Sequence, residues 1–136
     1  MSRPLYLAGP MTGIPQFNFP AFDRAVADLR SRGLAVISPH ERDSPEVQRA
    51  ARASPDGNLA ALEQDASETW GDMLARDVKI VADESGGVIL LPGWERSRGA
   101  RLEAYVALLC SLPVYLYDPG GLETLQPQRI REALVP

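Results

Sequence analysis

The chain has few of the residues that metal centres and disulfide frameworks use. Among its 136 residues there is one cysteine, Cys110, and one histidine, His40. A single cysteine excludes an internal disulfide, and its apolar surroundings predict a small core residue. A histidine with no cysteine or second histidine at ligand spacing argues against a zinc site. We therefore expect no metal and no cofactor, and we interpret His40 as a loop residue rather than a catalyst.

The chain also lacks a basic excess and a long apolar run. Its 14 Lys and Arg face 18 Asp and Glu, which gives a formal net charge of -4. This balance argues against binding of polymeric nucleic acid through a broad basic face. No segment reaches the roughly 18 consecutive apolar residues of a membrane span, and the apolar part of the N-terminus is too short for a signal peptide. We expect a soluble, cytoplasmic protein with no membrane partner.

Apolar residues make up 45% of the chain, which suits one compact domain over residues 1–136. Four short apolar runs, at 5–8, 34–37, 88–91 and 114–117, read as strands. Between and after them, helical periodicity and end signals predict helices at 21–32, 69–83, 99–111 and 122–134. This alternation predicts a doubly wound α/β fold of the flavodoxin-like or Rossmann-like kind. We expect a mostly parallel sheet of four or five strands, with the order 2-1-3-4 and helices on both faces.

A polar, proline-containing segment at about 38–68 separates the second strand from the next long helix. Short helices are possible at 46–52 and 59–64. A connection of this length is unusual within a small domain and is often functional. We therefore interpret the segment as an insertion or lid.

In such a sheet, the carboxyl ends of strands one and three form the ligand crevice. The first strand leads into Gly9, Pro10, Met11 and Thr12, and the third leads into residues 93–99. Glycines and small hydroxyl residues let backbone N–H groups approach an anion, and a helix N-terminus adds a positive dipole end. Neither loop carries the dinucleotide fingerprint or the Walker lysine, which argues against NAD binding and NTP hydrolysis. The alternative is that these glycines only make turns.

Asp77 is an acid at an apolar position of the helix predicted at 69–83. It lies seven residues after Trp70 and four before Val81, on the stripe that should face the core. A buried carboxylate is costly unless it is paired, so an acid in a cleft is a candidate functional residue. The alternative is a helix-surface ion pair with Arg76 or Lys79.

Glu103 follows the third strand at a strand-to-helix junction. With Gly99, Ala100 and Ala107 it forms a stripe of small residues that would let the helix approach the sheet and aim one carboxylate inward. The alternative is a first-turn glutamate that only favours the helix dipole. Two carboxylates near an anion-binding crevice suggest cleavage of a glycosidic bond, in which one carboxylate attacks the anomeric carbon and the other manages a proton.

Three motifs in order carry a family resemblance: Tyr6-Leu7-Ala8-Gly9-Pro10-Met11, then Arg76-Asp77, then Ser97-x-Gly99-x-x-x-Glu103-x-x-x-Ala107. Over about residues 4–118 the chain resembles the nucleoside 2-deoxyribosyltransferase superfamily. Within it, the chain is most similar to a small, often phage-associated branch that also resembles the deoxynucleoside 5'-monophosphate N-glycosidases. The resemblance implies that Glu103 is the nucleophile that attacks C1' of the sugar. It further implies that Tyr6 orients this nucleophile and that Asp77 is the acid near the base and sugar.

Ser97 is the most discriminating position of the resemblance. The nucleoside transferases carry an acid there, whereas the monophosphate hydrolases carry a serine. An acid would repel phosphate and a serine can bind it, so a nucleoside 5'-monophosphate substrate is implied. We expect the phosphate to contact residues 9–12 and Ser97, and we expect Gly99 to be a further substrate-binding residue. Trp94 either stacks on the base or anchors its loop. In relatives, a loop after strand four of a neighbouring subunit completes the site, which implies a homodimer or higher homo-oligomer in which Asp118 acts in trans.

The function expected from the sequence is hydrolysis of the N-glycosidic bond of a nucleoside or deoxynucleoside 5'-monophosphate through a covalent glycosyl-glutamate intermediate. Two alternatives stay open. One is base exchange between deoxynucleosides, which Ser97 disfavours. The other is a catalytically silent nucleotide-binding or sensor module, because a fold does not establish a reaction.

Overall fold

The computed structural model describes residues 2–66 and 68–135. Within these residues a single sheet has five strands in the order β2-β1-β3-β4-β5. The strands are β1 (Leu5–Ala8), β2 (Val36–Ile37), β3 (Val88–Leu90), β4 (Val114–Asp118) and β5 (Gly121–Thr124). The first four pair in parallel, with β1 between β2 and β3 and with β4 on the other side of β3. The predicted doubly wound α/β fold and its 2-1-3-4 order are confirmed.

Helices cover both faces of this sheet. They are α1 (Phe19–Ser31), α2 (Pro39–Arg42), α3 (Pro45–Ala53), α4 (Leu59–Ala66), α5 (Trp70–Asp83), α6 (Arg98–Leu109) and α7 (Pro127–Leu134). Alternate strand residues point to opposite faces. Leu7 and Ile89 pack with residues of α1, whereas Tyr6 and Val88 pack with residues of α5, α6 and α7. The side chain of Tyr6 is therefore directed to the face that α5 and α6 cover.

Local capping signals position the two helices that carry the candidate carboxylates. Thr69 caps α5 in a reciprocal capping box with Asp72. The Ser97 hydroxyl caps α6 by accepting a hydrogen bond from the Ala100 amide at 3.1 Å. Small residues of α6, among them Ala104, are buried against the sheet, which brings this helix close to β1 and β3.

The predicted helix at 122–134 is wrong in its first part. Residues Gly121–Thr124 form β5, which pairs antiparallel with β4 in the register Asp118 to Gly121. The turn residues Pro119 and Gly120 thus join two strands of a hairpin rather than a strand and a helix. The terminal helix begins only at Pro127.

The 38–68 segment contains α2, α3 and α4, and it has a small apolar core of its own with the β1–α1 connection. That core contains Phe17, Phe19, Val47, Ala51 and Leu62. Two backbone hydrogen bonds hold the segment to the connection: Gly13 N donates to Gly57 O at 2.9 Å, and Gln16 N donates to Ser54 O at 2.8 Å. The segment is therefore packed onto the loop that follows β1.

Two residues differ from their sequence-based interpretation. His40 lies in α2 rather than in a loop and is only 2% exposed. Its ring nitrogens lie 2.6 Å from Ser38 Oγ and 2.7 Å from Asp23 Oδ1, so both have polar partners. Cys110 is exposed, so the prediction of a core residue is wrong. Helix α6 ends at Leu109, and Cys110 therefore does not continue the buried stripe of that helix.

Candidate active site

A cavity of about 250 Å³ lies at the carboxyl ends of β1 and β3. Its lining includes the loop after β1, the start of α6, the inner side of α5 and part of the 38–68 segment. This is where an open parallel sheet holds ligands. Gly9 lets the loop after β1 pass close to Leu91, because a Cβ atom at position 9 would lie 2.8 Å from Leu91 Cβ.

A buried hydrogen bond in the lining of the cavity joins Tyr6 and Glu103. Tyr6 is fully buried on β1, and its hydroxyl donates a hydrogen bond of 2.7 Å to Glu103 Oε2. Glu103 is 6% exposed on α6 and also lines the cavity. The Glu103 side chain therefore points inward, as the sequence predicts. A solvent-exposed first-turn glutamate, the alternative, does not agree with this burial.

Asp77 lies beside this pair, on α5. Its side chain is 14% exposed and lines the cavity, and its Oδ1 accepts from Arg76 Nε at 2.9 Å and lies 2.8 Å from Arg76 Nη2. Each of the two sequence-based interpretations of Asp77 is therefore partly correct: the acid lines the cavity, and it also forms an ion pair with Arg76.

Arg76 joins Asp77 to a third acid, Asp43, which sequence reasoning missed. Arg76 Nη1 lies 2.8 Å from Asp43 Oδ1, and Arg76 Nη2 donates to the carbonyl oxygen of Pro39 at 3.2 Å. Asp43 follows α2 in the 38–68 segment, and its side chain is 8% exposed. One guanidinium therefore bridges two carboxylates that line the same cavity.

Burial sets the protonation of these acids. It raises the pKa of Glu103 to about 8, and the nearby charge of Asp77 adds to this rise, while Tyr6 and Arg76 oppose it. Burial also raises the pKa of Asp43 to about 6 and the pKa of Asp77, against the influence of Arg76 in both cases. The pKa of Tyr6 is raised well above its usual value, first by burial and then by Glu103. Strongly shifted groups that share a cleft are typical of catalytic sites.

The N-terminal end of α6 forms a second, cationic part of the cavity. Ser97, Gly99, Arg96 and Arg98 line it. The Arg98 guanidinium also stacks over the Trp70 ring at 4.6 Å from the ring centroid. The Ser97 oxygen accepts the capping hydrogen bond, so its hydroxyl hydrogen can still be donated to a ligand. This end has the donors and positive charge that an anion needs.

The structure brings together most of the residues that the sequence singled out. Tyr6, Gly9, Pro10, Met11, Thr12, Asp77, Ser97, Gly99 and Glu103 all line the cavity. Trp94 does not: it is 3% exposed and packs in the core beside α6, which fits the loop-anchor alternative rather than stacking on a base. Asp118 lies outside this cavity, at the end of β4, where its carboxylate accepts from the Gly120 amide at 2.9 Å.

The apolar wall of the cavity was also missing from the sequence analysis. It includes Phe17, Phe19, Val47, Leu59 and Leu62, from the β1–α1 connection and the 38–68 segment. A left-handed turn places Phe17, because Gln16, Phe17 and Asn18 have φ values of 58°, 51° and 60°. Such strained positions are hard to read from sequence, since none of the three is glycine.

Among the side chains that the structure describes, which exclude those of residues 65–67, no three from His, Cys, Asp or Glu are grouped so that they could hold a metal ion. In the same part of the chain, every helix falls short of the length and apolarity that a membrane crossing requires.

The fold and the cavity define an α/β protein with a Rossmann-like sheet and a carboxylate-rich site at its topological switch point. The model of one protein family, described as a domain of unknown function (DUF4406), matches residues 3–116. The chain therefore belongs to this family. The match covers every residue placed in the cavity. The curated proteins and the solved structures gave no match.

Proposed function

We propose that this protein hydrolyses the N-glycosidic bond of a nucleoside 5'-monophosphate. The observation that carries the proposal is the buried Glu103 carboxyl group, held by the Tyr6 hydroxyl at 2.7 Å in a cavity that also contains Asp77. A carboxylate fixed at this depth has the setting of a glycosidic nucleophile. The resemblance of the ordered motifs to the nucleoside 2-deoxyribosyltransferase superfamily supports the same assignment.

In the proposed reaction, a Glu103 carboxylate oxygen bonds to C1' as the bond from C1' to the base nitrogen breaks. The bonding electron pair leaves with the base, which takes a proton from Asp77 or from water. Water then attacks C1' and releases Glu103, so that the products are free base and a sugar 5-phosphate. Asp77 suits the proton transfer because burial raises its pKa.

A phosphate group on the substrate is supported by the start of α6. Ser97, Arg96 and Arg98 lie there at the helix N-terminus, and Thr12 faces the same cavity from the loop after β1. Hydroxyl and guanidinium donors at a helix N-terminus favour a phosphate, whereas an acid in place of Ser97 would repel it. The same feature disfavours base exchange between unphosphorylated nucleosides.

A homodimer belongs to this proposal. Asp118 lies outside its own chain's cavity, and Arg32 of the same chain donates to the carbonyl oxygens of Asp118 and Pro119 at 3.2 and 2.6 Å. The hairpin that carries Asp118 is thus held in place and available to a second copy. Sedimentation equilibrium checks this, and a monomer at all concentrations would exclude a role for Asp118 in trans.

The test of the reaction is incubation with ribo- and deoxyribonucleoside 5'-monophosphates, including modified pyrimidines, followed by chromatography for free base. We expect base release from at least one of them and a loss on the order of 10³-fold or more in Glu103→Gln. Glu95→Gln is the matched control, because Glu95 lies in the turn before α6 and outside the lining of the cavity.

Three outcomes would change the assignment. Undiminished release by Glu103→Gln would remove Glu103 as the nucleophile. Nucleotide binding without release of base would favour the binding module. Incorporation of a labelled free base into product would make the protein a transferase.

A further inference from the structure

Asp43 is a polar group that the proposed chemistry does not use. Among the residues of the 38–68 segment that line the cavity, it is the only charged one in the described part of the chain. The others, Pro39, Val47, Leu59 and Leu62, are apolar. An apolar wall with one placed polar group is the usual way in which a pocket orients a planar ligand.

Both the side chain and the backbone of Asp43 are held in place. Arg76 Nη1 lies 2.8 Å from the carboxylate oxygen Oδ1, and the Gln48 side chain donates to the backbone carbonyl oxygen of Asp43 at 2.8 Å. Among the side chains that the structure describes, which exclude those of residues 65–67, the partner of this carboxylate is Arg76, at Oδ1. The carboxylate is therefore held at one oxygen, and we take Oδ2 as the oxygen that a ligand can reach.

The rest of the cavity determines which part of the ligand reaches Asp43. The phosphate is assigned to the start of α6, and C1' is assigned to Glu103. The base must then extend from Glu103 toward the remaining wall, where the aromatic rings of Phe17 and Phe19 and the side chain of Val47 can cover its faces. Asp43 is the charged residue that the described part of the 38–68 segment contributes to the cavity lining, and the Arg76 guanidinium contacts both Asp43 and Asp77.

We propose that Asp43 selects a nucleobase that carries an exocyclic amino group, as cytosine and adenine do, by accepting a hydrogen bond from that group. A keto oxygen at the same position would face the carboxylate oxygen as a second acceptor and would be repelled. The pKa of Asp43 near 6 is consistent with this role, since the group is mostly ionised, and so acts only as an acceptor, at pH 7. The inference rests on the proposed function, because it places the base relative to Glu103.

Cytidine and uridine nucleotides make the sharpest test, because their bases differ only at the amino or keto position and the adjoining ring nitrogen. We expect the wild-type protein to prefer CMP over UMP, or dCMP over dUMP, on the order of tenfold to a hundredfold in kcat/KM. In Asp43→Asn this ratio should fall toward one, because an amide can offer a donor to the keto oxygen. Glu46→Gln, on the exposed side of α3, is the matched control and should keep the wild-type ratio.

Equilibrium binding of the same nucleotide pairs to Glu103→Gln separates this inference from the proposed reaction. A preference for the amino base in binding, without release of base by the wild type, would support the role of Asp43 and overturn the hydrolase. Cleavage with no preference, or a preference for the keto base, would overturn the role of Asp43 and leave the hydrolase intact. The wild-type ratio decides this even if Asp43→Asn fails to fold, and absence of any nucleotide binding would overturn both.

Discussion

Glu103 is a nucleophile candidate that the fold keeps mostly protonated at neutral pH. Its pKa of about 8 leaves about a tenth of the molecules ionised at pH 7 in the free protein. Only the carboxylate form can attack C1'. The hydrogen bond from Tyr6 and the charge of Arg76 both favour that form, so they keep a reactive fraction available despite burial.

The first prediction at the residue scale follows from this balance. With water as the proton donor to the departing base, the value of kcat/KM should rise with pH between about 6 and 9, as Glu103 ionises. Tyr6→Phe removes a hydrogen bond that lowers the pKa of Glu103, so the rising limb should move to higher pH. The activity at pH 7 should then fall about tenfold, the worth of one hydrogen bond to a charged group. The measurement is the pH profile of kcat/KM for both proteins.

Tyr105→Phe provides the matched control, since it removes a phenol hydroxyl elsewhere on α6 and outside the cavity lining. Its profile should coincide with that of the wild type. A profile that falls between pH 6 and 9, or one that Tyr6→Phe lowers without displacing, would contradict a nucleophile governed by the pKa of Glu103.

At the scale of elements, the 38–68 segment is part of the site because it is docked on the loop after β1. At Gly57 the backbone of the segment passes close to the backbone of that loop. The φ of Gly57 is +70°, and a Cβ atom here would lie 2.4 Å from the backbone oxygen of Ile14 and 2.8 Å from the amide nitrogen of Gly13. Neither backbone atom can move without displacing the loop that leads into the left-handed turn at Gln16.

Gly57→Ala should therefore destabilise the protein and weaken substrate binding together. Gly33→Ala is the matched control: Gly33 also has a positive φ, +84°, but no atom lies within 4 Å of its added Cβ. We expect Gly57→Ala to lower the free energy of unfolding by at least about 1 kcal/mol more than Gly33→Ala does. Urea unfolding measures this difference. Equal losses, or an unchanged KM in Gly57→Ala, would mean that docking of the segment does not shape the site.

The sequence predicts the elements of this site whose signals are local. Apolar runs and breakers identify β1 and β3, and helical periodicity places Asp77 on the inner stripe of α5. Asp43 has no such signal, because it lies between two short helices in a polar segment and its partner Arg76 is distant in sequence. The direction of Trp94 likewise depends on tertiary packing, since a tryptophan after a strand suits both a core and a ligand.

At the scale of the whole molecule, the cavity gathers three acids around one guanidinium. When Asp43, Asp77 and Glu103 are all ionised, their three negative charges exceed the single positive charge of Arg76 by two. A buried carboxyl group with a raised pKa destabilises the folded protein at pH values where the same group is ionised in the unfolded chain. The site is therefore expected to reduce the stability of the domain as the pH rises.

Glu103→Gln isolates this cost, because glutamine keeps the shape of the side chain and does not titrate. The carboxyl pKa is 4.5 in the unfolded chain and about 8 in the fold, so between these values the folded protein binds one more proton than the unfolded one. The contribution of Glu103 to stability is fully present below about pH 4.5 and is lost as the pH rises toward 8. Relative to the wild type, Glu103→Gln should therefore gain up to about 1.4 kcal/mol of unfolding free energy per pH unit across this window.

Urea unfolding at pH 5, 6.5 and 8 measures this gain, with Glu95→Gln as the control for loss of an exposed carboxylate. A constant difference between Glu103→Gln and wild type at all three pH values would show that Glu103 is not held protonated by the fold.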